Sequence, residues 1–372
     1  MGRALGPLRR RRCPTPLRGA SAYDCAQAGS SRRRAVHRAR QLWAPAPDPL
    51  QRAAGGRSRR LPRSDRLFLA AGLQPRPDRS VTVKLTVWGA RGSVPAPGPQ
   101  TTRYGGNTPC VAITLADGAL VVLDAGTGIR NLGLTLASEP QRIHILLTHL
   151  HLDHIQGLMF FAPLFNPDSE IVIWGPEAPG VSLQDRIARY ISAPLSPVEI
   201  RELPCAMSFN SAPPSEWEIG PATIRAESIA HRGPTLGFRI SEAGSTLCYI
   251  PDHEPALGAP LDPSQPEWIS GYGLARGASL LIHDCQYADE EYEEHLGWGH
   301  SKLSDAVAFA ACSEAERVLL FHHDPLHSDD FLDSLSDLAA ARWVQYGGAP
   351  DRIALARETQ EIALAGQLLG GA

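Results

Sequence analysis

The stretch Thr148-His149-Leu150-His151-Leu152-Asp153-His154 decides how this chain folds and which chemistry it can carry. It follows directly on the apolar run Ile145-Leu146-Leu147. Three imidazoles and one carboxylate lie within the six residues from His149 to His154. This donor set suits Zn, Fe or Mn, whereas Mg and Ca sites prefer oxygen ligands alone. We therefore predict a transition-metal site at the end of a buried strand.

The spacing within this stretch predicts two neighbouring metal ions. In an extended segment, residues i and i+2 point the same way, so His149 and His151 can reach one ion. If the chain then turns into a helix, Asp153 and His154 can reach a second ion beside the first. Gly157 allows close packing just after that turn.

The overall composition is that of a soluble globular protein. The chain has 372 residues, of which 43% are hydrophobic and 20% charged. No stretch approaches the roughly 18 apolar residues that a membrane span needs, so we expect no membrane partner. The seven cysteines are odd in number and include no C-x-x-C pair. Free thiols in a reducing compartment are therefore favoured over a disulfide framework, and we expect a cytoplasmic protein.

Charge divides the chain into two unlike parts. Residues 1–80 contain 19 Arg, no Lys and four acidic residues, out of 36 basic and 39 acidic residues in the whole chain. The remainder therefore has 17 basic and 35 acidic residues. We interpret residues 1–80 as a disordered N-terminal extension and residues 81–372 as the folded domain. A transit peptide, a nucleic-acid-binding tail and a misplaced start are alternatives for the extension.

The folded part alternates short apolar runs with Gly, Pro and Asp, a pattern that predicts many strands. The predicted strands are Val83–Val87, Val111–Leu115, Ala119–Leu123, Ile143–Leu147, Ile171–Trp174, Thr223–Ala226, Leu236–Ile240, Thr246–Ile250, Leu280–His283 and Val318–Phe321. The predicted helices are Leu183–Ile191, Leu303–Ala311 and Phe331–Trp343. Because strands dominate and helices fall between strand groups, we expect two sheets packed face to face with helices outside.

The order His-x-His-x-Asp-His after a buried strand resembles the signature of the metallo-β-lactamase superfamily. The resemblance covers nearly all of the chain from Val83 to about Asp330. It implies an α+β fold, a four-layer αββα sandwich. It also implies a metal-dependent hydrolase with two divalent metal ions, of which Zn is expected and Mn and Fe are alternatives.

The resemblance also implies further metal ligands, which this sequence supplies in chain order. His231, Asp252 and His322 each follow a predicted strand. The implied first ion is held by His149, His151 and His231, the second by Asp153, His154 and His322, and Asp252 bridges the two. His323 competes with His322, and the register of the preceding strand decides between them. Asp124 matches an Asp that steadies the metal loop without binding the ion.

Three residues distinguish branches of the superfamily. In the oxygen-reducing diiron branch a carboxylate replaces the second His of the motif, so His151 argues against that branch. Asp153 and His322 argue against the single-iron persulfide dioxygenase branch. A mononuclear iron dioxygenase remains an alternative, as does a non-catalytic binding protein.

A further segment, Trp298-Gly299-His300-Ser301, precedes the predicted helix that begins at Leu303. It resembles the His-Ser-Thr segment of the phosphodiesterase branch, which includes ribonuclease Z and the cyclic-phosphonate phosphodiesterases. In that branch the His assists the leaving group. Lys302 stands where the branch has Thr, which is a departure, and a helix-capping or surface histidine is the alternative for His300. Ile282–Cys285 resembles the acidic segment of the same branch.

The resemblance implies a hydrolysis in which a metal-bridging hydroxide, oriented by Asp153, attacks phosphorus while His300 protonates the leaving group. Asp153 and His300 are thus the candidate catalytic residues. The acidic body disfavours polyanionic RNA, so we expect a small or cyclic phosphodiester substrate. Alternatives are a 3′-processing ribonuclease and a hydrolase of thioesters or lactones. A homodimer is one assembly open to such a protein. The segment Leu158–Phe161 either walls the substrate pocket or packs in the core.

Overall fold

Residues 82–136, 139–259, 261 and 264–365 are described by the computed structural model of the chain. The predicted extension, residues 1–80, lies outside these residues. The strands of the described part are β1 Thr82–Gly89, β2 Cys110–Thr114, β3 Leu120–Leu123, β4 Arg142–Leu146, β5 Glu170–Pro176, β6 Ala206–Ala212, β7 Ser215–Ile219, β8 Ala222–Ser228, β9 Leu236–Glu242, β10 Ser245–Ile250, β11 Leu280–Asp284, β12 Val318–Phe321, β13 Ile353–Leu355 and β14 Glu361–Ala365.

These strands form two sheets of seven. The first has the order β14-β1-β2-β3-β4-β5-β6, and the second has the order β13-β12-β11-β10-β9-β8-β7. Neighbouring strands are parallel from β3 to β6 and from β10 to β13, and the other pairs are antiparallel. Each sheet therefore has a parallel half in which the carboxyl ends of neighbouring strands meet at one edge.

Alternating side chains pack the two sheets face to face. Val83, Leu85 and Val87 of β1 lie in a core cluster that also contains Leu247 and Tyr249 of β10. This cluster draws residues from both sheets and fills the space between them. Because side chains alternate along a strand, the intervening residues of β10 point to the opposite face.

Helices cover the outer face of each sheet. The described helices are α1 Gly128–Leu136, α2 Leu152–Ile155, α3 Leu183–Ala188, α4 Tyr272–Ala275, α5 Tyr292–His295, α6 Leu303–Cys312 and α7 Asp329–Gln345. One outer cluster joins α1 and α3 to β4 and β5, and another joins α6 and α7 to β11 and β12. The order helix, sheet, sheet, helix confirms the predicted αββα sandwich. None of the described helices combines the length and the apolarity that a membrane crossing demands.

The predicted strands all lie in the described sheets, and the strands that the sequence pattern missed share one property. They are β6, β7, β13 and β14, the four edge strands of the two sheets. An edge strand has only one neighbour and can remain half-exposed. The strands β6 and β7 accordingly mix polar with apolar residues, whereas β13 and β14 are mostly apolar but short. In β7, Ser215, Glu216 and Glu218 are all exposed. The pattern also missed α1, and it extended α3 to Ile191, three residues beyond its end at Ala188.

Two glycines allow the metal-motif segment to lie close to the start of α1. A Cβ on Gly157 would lie 2.0 Å from the carbonyl oxygen of Gly126, and a Cβ on Gly126 would lie 2.4 Å from that of Asp153. The Gly157 amide donates to the Ala125 carbonyl at 3.0 Å. The expected close packing at Gly157 is therefore present, and it involves backbone atoms that have little room to move.

We expect Gly157→Ala to destabilise the protein by about 1–3 kcal/mol, the usual result of overpacking. The reason is that the added methyl group meets a main-chain oxygen and cannot be relieved by a side-chain rotation. Urea unfolding measures the loss. Gly98→Ala is the control, since a Cβ there meets nothing within 4 Å. Equal stability of the two variants would contradict this account of the packing.

Candidate metal centre

The predicted site residues converge at the carboxyl-terminal ends of the parallel strands. His149 follows β4, Asp252 follows β10 and His322 follows β12. Asp153 and His154 lie in the short helix α2, so the chain does turn into a helix after His151, and His231 lies in the loop between β8 and β9. The structure thus brings together side chains from both sheets at the edge where the strands end.

The first group of converging side chains consists of His149, His151, His231 and Asp252. Their potential ligand atoms lie within 4.8 Å of one another. The Asp252 Oδ2 atom lies 3.7 Å from Nε2 of His149 and 3.6 Å from Nε2 of His231. His151 contributes Nδ1, which lies 3.3 Å from Nε2 of His231. His151 is the exposed member, so this group is open to solvent on one side.

The second group consists of Asp153, His154 and His322, all buried. The Asp153 Oδ2 atom lies 3.4 Å from Nε2 of His154 and 3.3 Å from Nε2 of His322. Asp252 also reaches this group, because its Oδ1 is 3.1 Å from Nε2 of His154 and its Oδ2 is 3.4 Å from Nε2 of His322. Asp252 therefore stands between the two groups and contacts both.

A buried carboxylate, Asp124, orients two of the imidazoles. Its Oδ2 accepts a hydrogen bond from Nδ1 of His154 at 2.9 Å. The Thr148 hydroxyl donates to Asp124 at 3.0 Å and lies 3.0 Å from Nδ1 of His149, so it can accept the proton of that nitrogen. Both rings thus carry the proton on Nδ1 and direct the Nε2 lone pair into the centre.

The other two buried imidazoles are oriented in the same way by neutral acceptors. Nδ1 of His231 lies 2.7 Å from the Gly299 carbonyl oxygen, and Nδ1 of His322 lies 3.1 Å from Oε1 of Gln286. The Gln286 amide group donates to Asp324 at 3.0 Å, which fixes the side-chain oxygen towards His322. Four separate acceptors therefore hold the Nδ1–H groups of four imidazoles away from the centre, so that the four Nε2 atoms face it.

Three of the seven non-glycine residues with positive φ in the described part of the chain lie at the same centre. Ser93, Asp124 and His322 adopt φ values of 60°, 59° and 63°, a region that side-chain-bearing residues rarely occupy. The Ser93 amide donates to Oδ2 of Asp153 at 2.8 Å, so its conformation serves that carboxylate. Gly92 has no side chain to collide with the ring of His322, since a Cβ there would lie 2.3 Å from Nδ1. Such strain persists only where the surrounding packing imposes it.

The donor set fits a divalent transition-metal ion. Nε2 of His149, Nε2 of His154 and Oδ1 of Asp252 are buried without a hydrogen-bond partner. Buried polar atoms of this kind are rarely left unsatisfied, and their lone pairs point towards one another, so a cation satisfies them together. Burial lowers the pKa of His149 and of His231, which keeps both imidazoles neutral, the form that binds metal.

The acidic members of the centre remain ionised. Burial raises the pKa of Asp153, but the charges and hydrogen bonds of His154 and His322 outweigh it and lower that pKa well below its usual range. Burial likewise raises the pKa of Asp252, and the imidazoles of His154, His322 and His149 reverse the shift. Both side chains are therefore carboxylates, the form that can contact a cation or accept a proton.

His300 lies against this centre and is paired with an acidic residue. Its Nδ1 is 2.7 Å from Oδ2 of Asp284, and its ring stacks on that of His322 with centroids 4.8 Å apart. Asp284, at the end of β11, also accepts hydrogen bonds from the backbone amides of His253 and Gln286 at 2.9 Å. The structure thus places His300 beside the acidic segment Ile282–Cys285.

The competing histidine and the apolar segment have clear positions. His323 turns away from the centre, and its Nε2 lies 2.8 Å from the Ala356 carbonyl oxygen. His322, the residue favoured by the register of β12, points into the centre. Leu158, Met159 and Phe161 pack in the core cluster beneath the first sheet, so this segment is mainly core and not pocket wall.

Sequence reasoning missed several residues that shape the centre: Ser93, Tyr249, Glu254, Gln286 and Gly299. Gly299 lies in the segment quoted for His300, but no role was assigned to it, and the other four residues carry no pattern of their own, because amides and single hydroxyls recur throughout any chain. Glu254 and Gln286 had the best available signal, since each lies two residues after a singled-out acidic residue, Asp252 or Asp284.

Comparisons with known proteins agree with this geometry. Residues 120–323, more than half of the chain, match a family described as a beta-lactamase superfamily domain. A ribonuclease Z of Natronomonas pharaonis is 24% identical over 291 residues, which cover 67% of this chain and 90% of that protein.

Two solved structures share the fold. A diphosphatase from the PhnP family superposes with a TM-score of 0.54 at 18% identity, covering 76% of this chain and 97% of its own. The human short-form tRNase Z superposes with a TM-score of 0.52 at 21% identity, covering 75% and 98%. The family match, the αββα layers and the convergent His and Asp side chains lead to one conclusion: the chain belongs to the metallo-β-lactamase superfamily of metal-dependent hydrolases.

Proposed function

We propose that this chain is a phosphodiesterase that hydrolyses a small or cyclic phosphodiester. The observation that carries the proposal is the pair of His300 and Asp284, hydrogen-bonded at 2.7 Å beside the metal centre. A metal centre alone serves many hydrolytic reactions, whereas a buried imidazole held by a carboxylate beside it supplies the proton that an alkoxide leaving group needs.

We assign the metal ligands as two sets that share one residue. His149, His151 and His231 would hold one ion, and Asp153, His154 and His322 would hold the other, with Asp252 common to both. The imidazole nitrogens and ionised carboxylates favour zinc, with manganese and iron as alternatives. Two such ions supply an activated water molecule and offset the charge of the phosphate oxygens.

The protein residues divide the proton transfers between them. Asp153 is a carboxylate whose Oδ2 is anchored by the Ser93 amide, and it can orient the attacking water and accept its proton. As the water oxygen bonds to phosphorus, the ester P–O bond breaks, and the doubly protonated form of His300 gives its Nε2 proton to the leaving oxygen and becomes neutral. Asp284 holds Nδ1 of His300, so Nε2 is the nitrogen that donates. Burial lowers the pKa of His300, while the charges of Asp252 and Asp153 oppose that shift.

A second candidate function is the 3′ processing of RNA. It is favoured by the relative named ribonuclease Z, 90% of which is covered by the match to this chain. The charge argues against it, because residues 81–372 hold 35 of the 39 acidic residues and only 17 of the 36 basic ones. Polyanionic RNA is bound mainly through Lys and Arg contacts to its phosphates. Comparing hydrolysis of 3′,5′-cyclic AMP with cleavage of a transfer-RNA precursor carrying a 3′ trailer separates the two functions.

Three further expectations also remain proposals. The division at residue 80 rests on the charge break in the sequence, and a cytoplasmic location rests on the scattered cysteines. Those in the described residues are free thiols. The expectation of a homodimer follows from neither the charge break nor the cysteines. Light scattering of the purified protein tests it directly.

Elemental analysis of the purified protein is expected to find about two transition-metal ions per chain, because two groups of ligand-competent atoms converge. His149→Ala should reduce that content and abolish hydrolysis, since it removes an inward Nε2 atom. His144→Ala is the matched control, because His144 lies in β4 and its ring contacts Trp174 at 3.5 Å, outside the centre. A single tightly bound iron ion and oxidation of a persulfide would instead place the protein in the dioxygenase branch.

Replacing His300 by Ala tests the phosphodiesterase assignment. The metal content should remain near two, while hydrolysis of 3′,5′-cyclic AMP slows by about 10²–10⁴-fold, the usual effect of losing a positioned general acid. The loss should be much smaller with bis(p-nitrophenyl) phosphate, whose leaving group needs little protonation. Steady-state rates on both substrates give the comparison.

His295→Ala is the control for that experiment. His295 lies five residues before His300 and stacks on Tyr287, and it is neither a proposed metal ligand nor a proposed catalytic residue. We expect it to retain normal rates on both substrates. Near-normal turnover of cyclic AMP by the His300→Ala variant would refute the assigned role. The reaction would then have to be sought among thioesters and lactones.

A further inference from the structure

We propose that Glu254 is a positioning residue for both halves of the reaction. Its carboxylate fixes the residues 297–299, here called the strap, and the strap in turn orients His231 and places His300. The catalytic part of this inference rests on the proposed phosphodiesterase function. The part that concerns metal binding does not.

The Glu254 carboxylate is buried, with 1% of the residue exposed, and it accepts three hydrogen bonds. Its Oε1 accepts from the Gly297 amide at 2.9 Å and from the Tyr292 hydroxyl at 2.7 Å. Its Oε2 accepts from the Gly299 amide at 2.8 Å. The backbone amide of Glu254 donates to the Ala230 carbonyl at 2.9 Å, which ties this carboxylate to the loop that carries His231.

The strap is held from its other side by that same loop. The Gly299 carbonyl oxygen lies 2.7 Å from Nδ1 of His231, and the Gly297 carbonyl oxygen accepts from Nε of Arg232 at 2.9 Å. Each of the two glycines therefore bonds through its amide to Glu254 and through its carbonyl to the His231–Arg232 pair. The strap is therefore held on one side by the Glu254 carboxylate and on the other by the loop that carries His231 and Arg232.

The glycines make this arrangement sterically possible. Gly297 and Gly299 adopt φ values of 77° and 96°, which residues with a side chain rarely adopt. A Cβ on Gly299 would lie 2.4 Å from Nδ1 of His231. The close approach lets a main-chain carbonyl fix both the ring orientation and the proton position of His231, so that its Nε2 faces Asp252.

Placement of His300 follows from the same arrangement, because His300 is the next residue after Gly299. The ring of His300 lies 5.0 Å from that of His231, centroid to centroid, and its Nδ1 is bonded to Asp284. Glu254 contacts neither imidazole, yet it determines the backbone from which both are positioned. Loss of this carboxylate therefore affects metal binding and proton donation together.

A carboxylate is required here because three donors need two acceptor oxygens. The Gln side chain has one acceptor oxygen and one NH₂ donor group. In Glu254→Gln the NH₂ group must therefore face the amide of either Gly297 or Gly299, so one buried strap amide loses its acceptor. The variant has the same shape and size, which isolates hydrogen bonding from packing.

The experiment compares Glu254→Gln with Tyr292→Phe, which removes the third donor but leaves both strap amides bonded. Zinc affinity is measured by competition with a chromogenic chelator, without any substrate. We expect Glu254→Gln to weaken zinc binding by about 10–100-fold, the usual effect of losing an outer hydrogen-bond partner of a metal-ligating His. Tyr292→Phe should change zinc affinity less than twofold.

The catalytic readout is the split between kcat and KM on zinc-saturated protein. Glu254→Gln should lower kcat for 3′,5′-cyclic AMP by about tenfold or more with little change in KM. It should lower kcat less for bis(p-nitrophenyl) phosphate, because displacement of His300 matters only for a poor leaving group. Thermal unfolding is recorded for both variants.

Unchanged zinc affinity and unchanged kcat in Glu254→Gln would overturn the proposal, whatever its melting temperature. Equal effects of Glu254→Gln and Tyr292→Phe would also overturn it, since the strap amides would then not matter. If the wild-type protein hydrolyses neither phosphodiester, the proposed function fails. The zinc-affinity measurement, which uses no substrate, still decides whether Glu254 positions His231.

Discussion

The buried carboxylate of Asp124 is the interaction on which the rest of the centre depends. It lies at the end of β3 in the first sheet and accepts from His154, from Thr148 and from the Tyr249 hydroxyl of the second sheet, the last at 3.0 Å. A fully buried charge is costly unless several donors satisfy it, and here they come from both sheets. The hydrogen bonds that stabilise Asp124 therefore also fix the two sheets and two imidazoles relative to each other.

Parallel strands explain why so many polar side chains can share one edge of the sandwich. β4, β10, β11 and β12 end side by side within their sheets, and His149, Asp252, Asp284 and His322 lie at or just after those ends. The other residues of these strands are mostly apolar, so most of the titratable side chains lie at the edge. The protein thereby keeps a well-packed core next to a centre that contains several buried titratable groups.

Backbone atoms supplement the side-chain contacts that set the geometry around the imidazoles. The amide of the left-handed residue Ser93 bonds to Asp153 and the carbonyl of Gly299 bonds to His231, while the missing side chain of Gly92 leaves room for the ring of His322. A main-chain amide or carbonyl loses no side-chain entropy when it forms such a bond. The two proposals draw on this feature, since an acid such as His300 and a ligand such as His231 must be placed before substrate arrives.

The sequence by itself determined the αββα fold, the interior strands and the group of residues that meets at the edge, because apolar runs and the His-x-His-x-Asp-His spacing are local signals. The resemblance, which places the ligand directly after the residue that closes the apolar strand, favoured His322 over His323. The sequence did not reveal the four edge strands, since β6 and β7 are partly exposed and mix polar with apolar residues, and β13 and β14 are short. Nor could it reveal Gln286, Glu254 or the Gly299 carbonyl, whose roles arise from contacts between residues far apart in the chain. Only the tertiary structure decided which nitrogen of each imidazole faces the centre, because that choice depends on the acceptor that the fold places behind the ring.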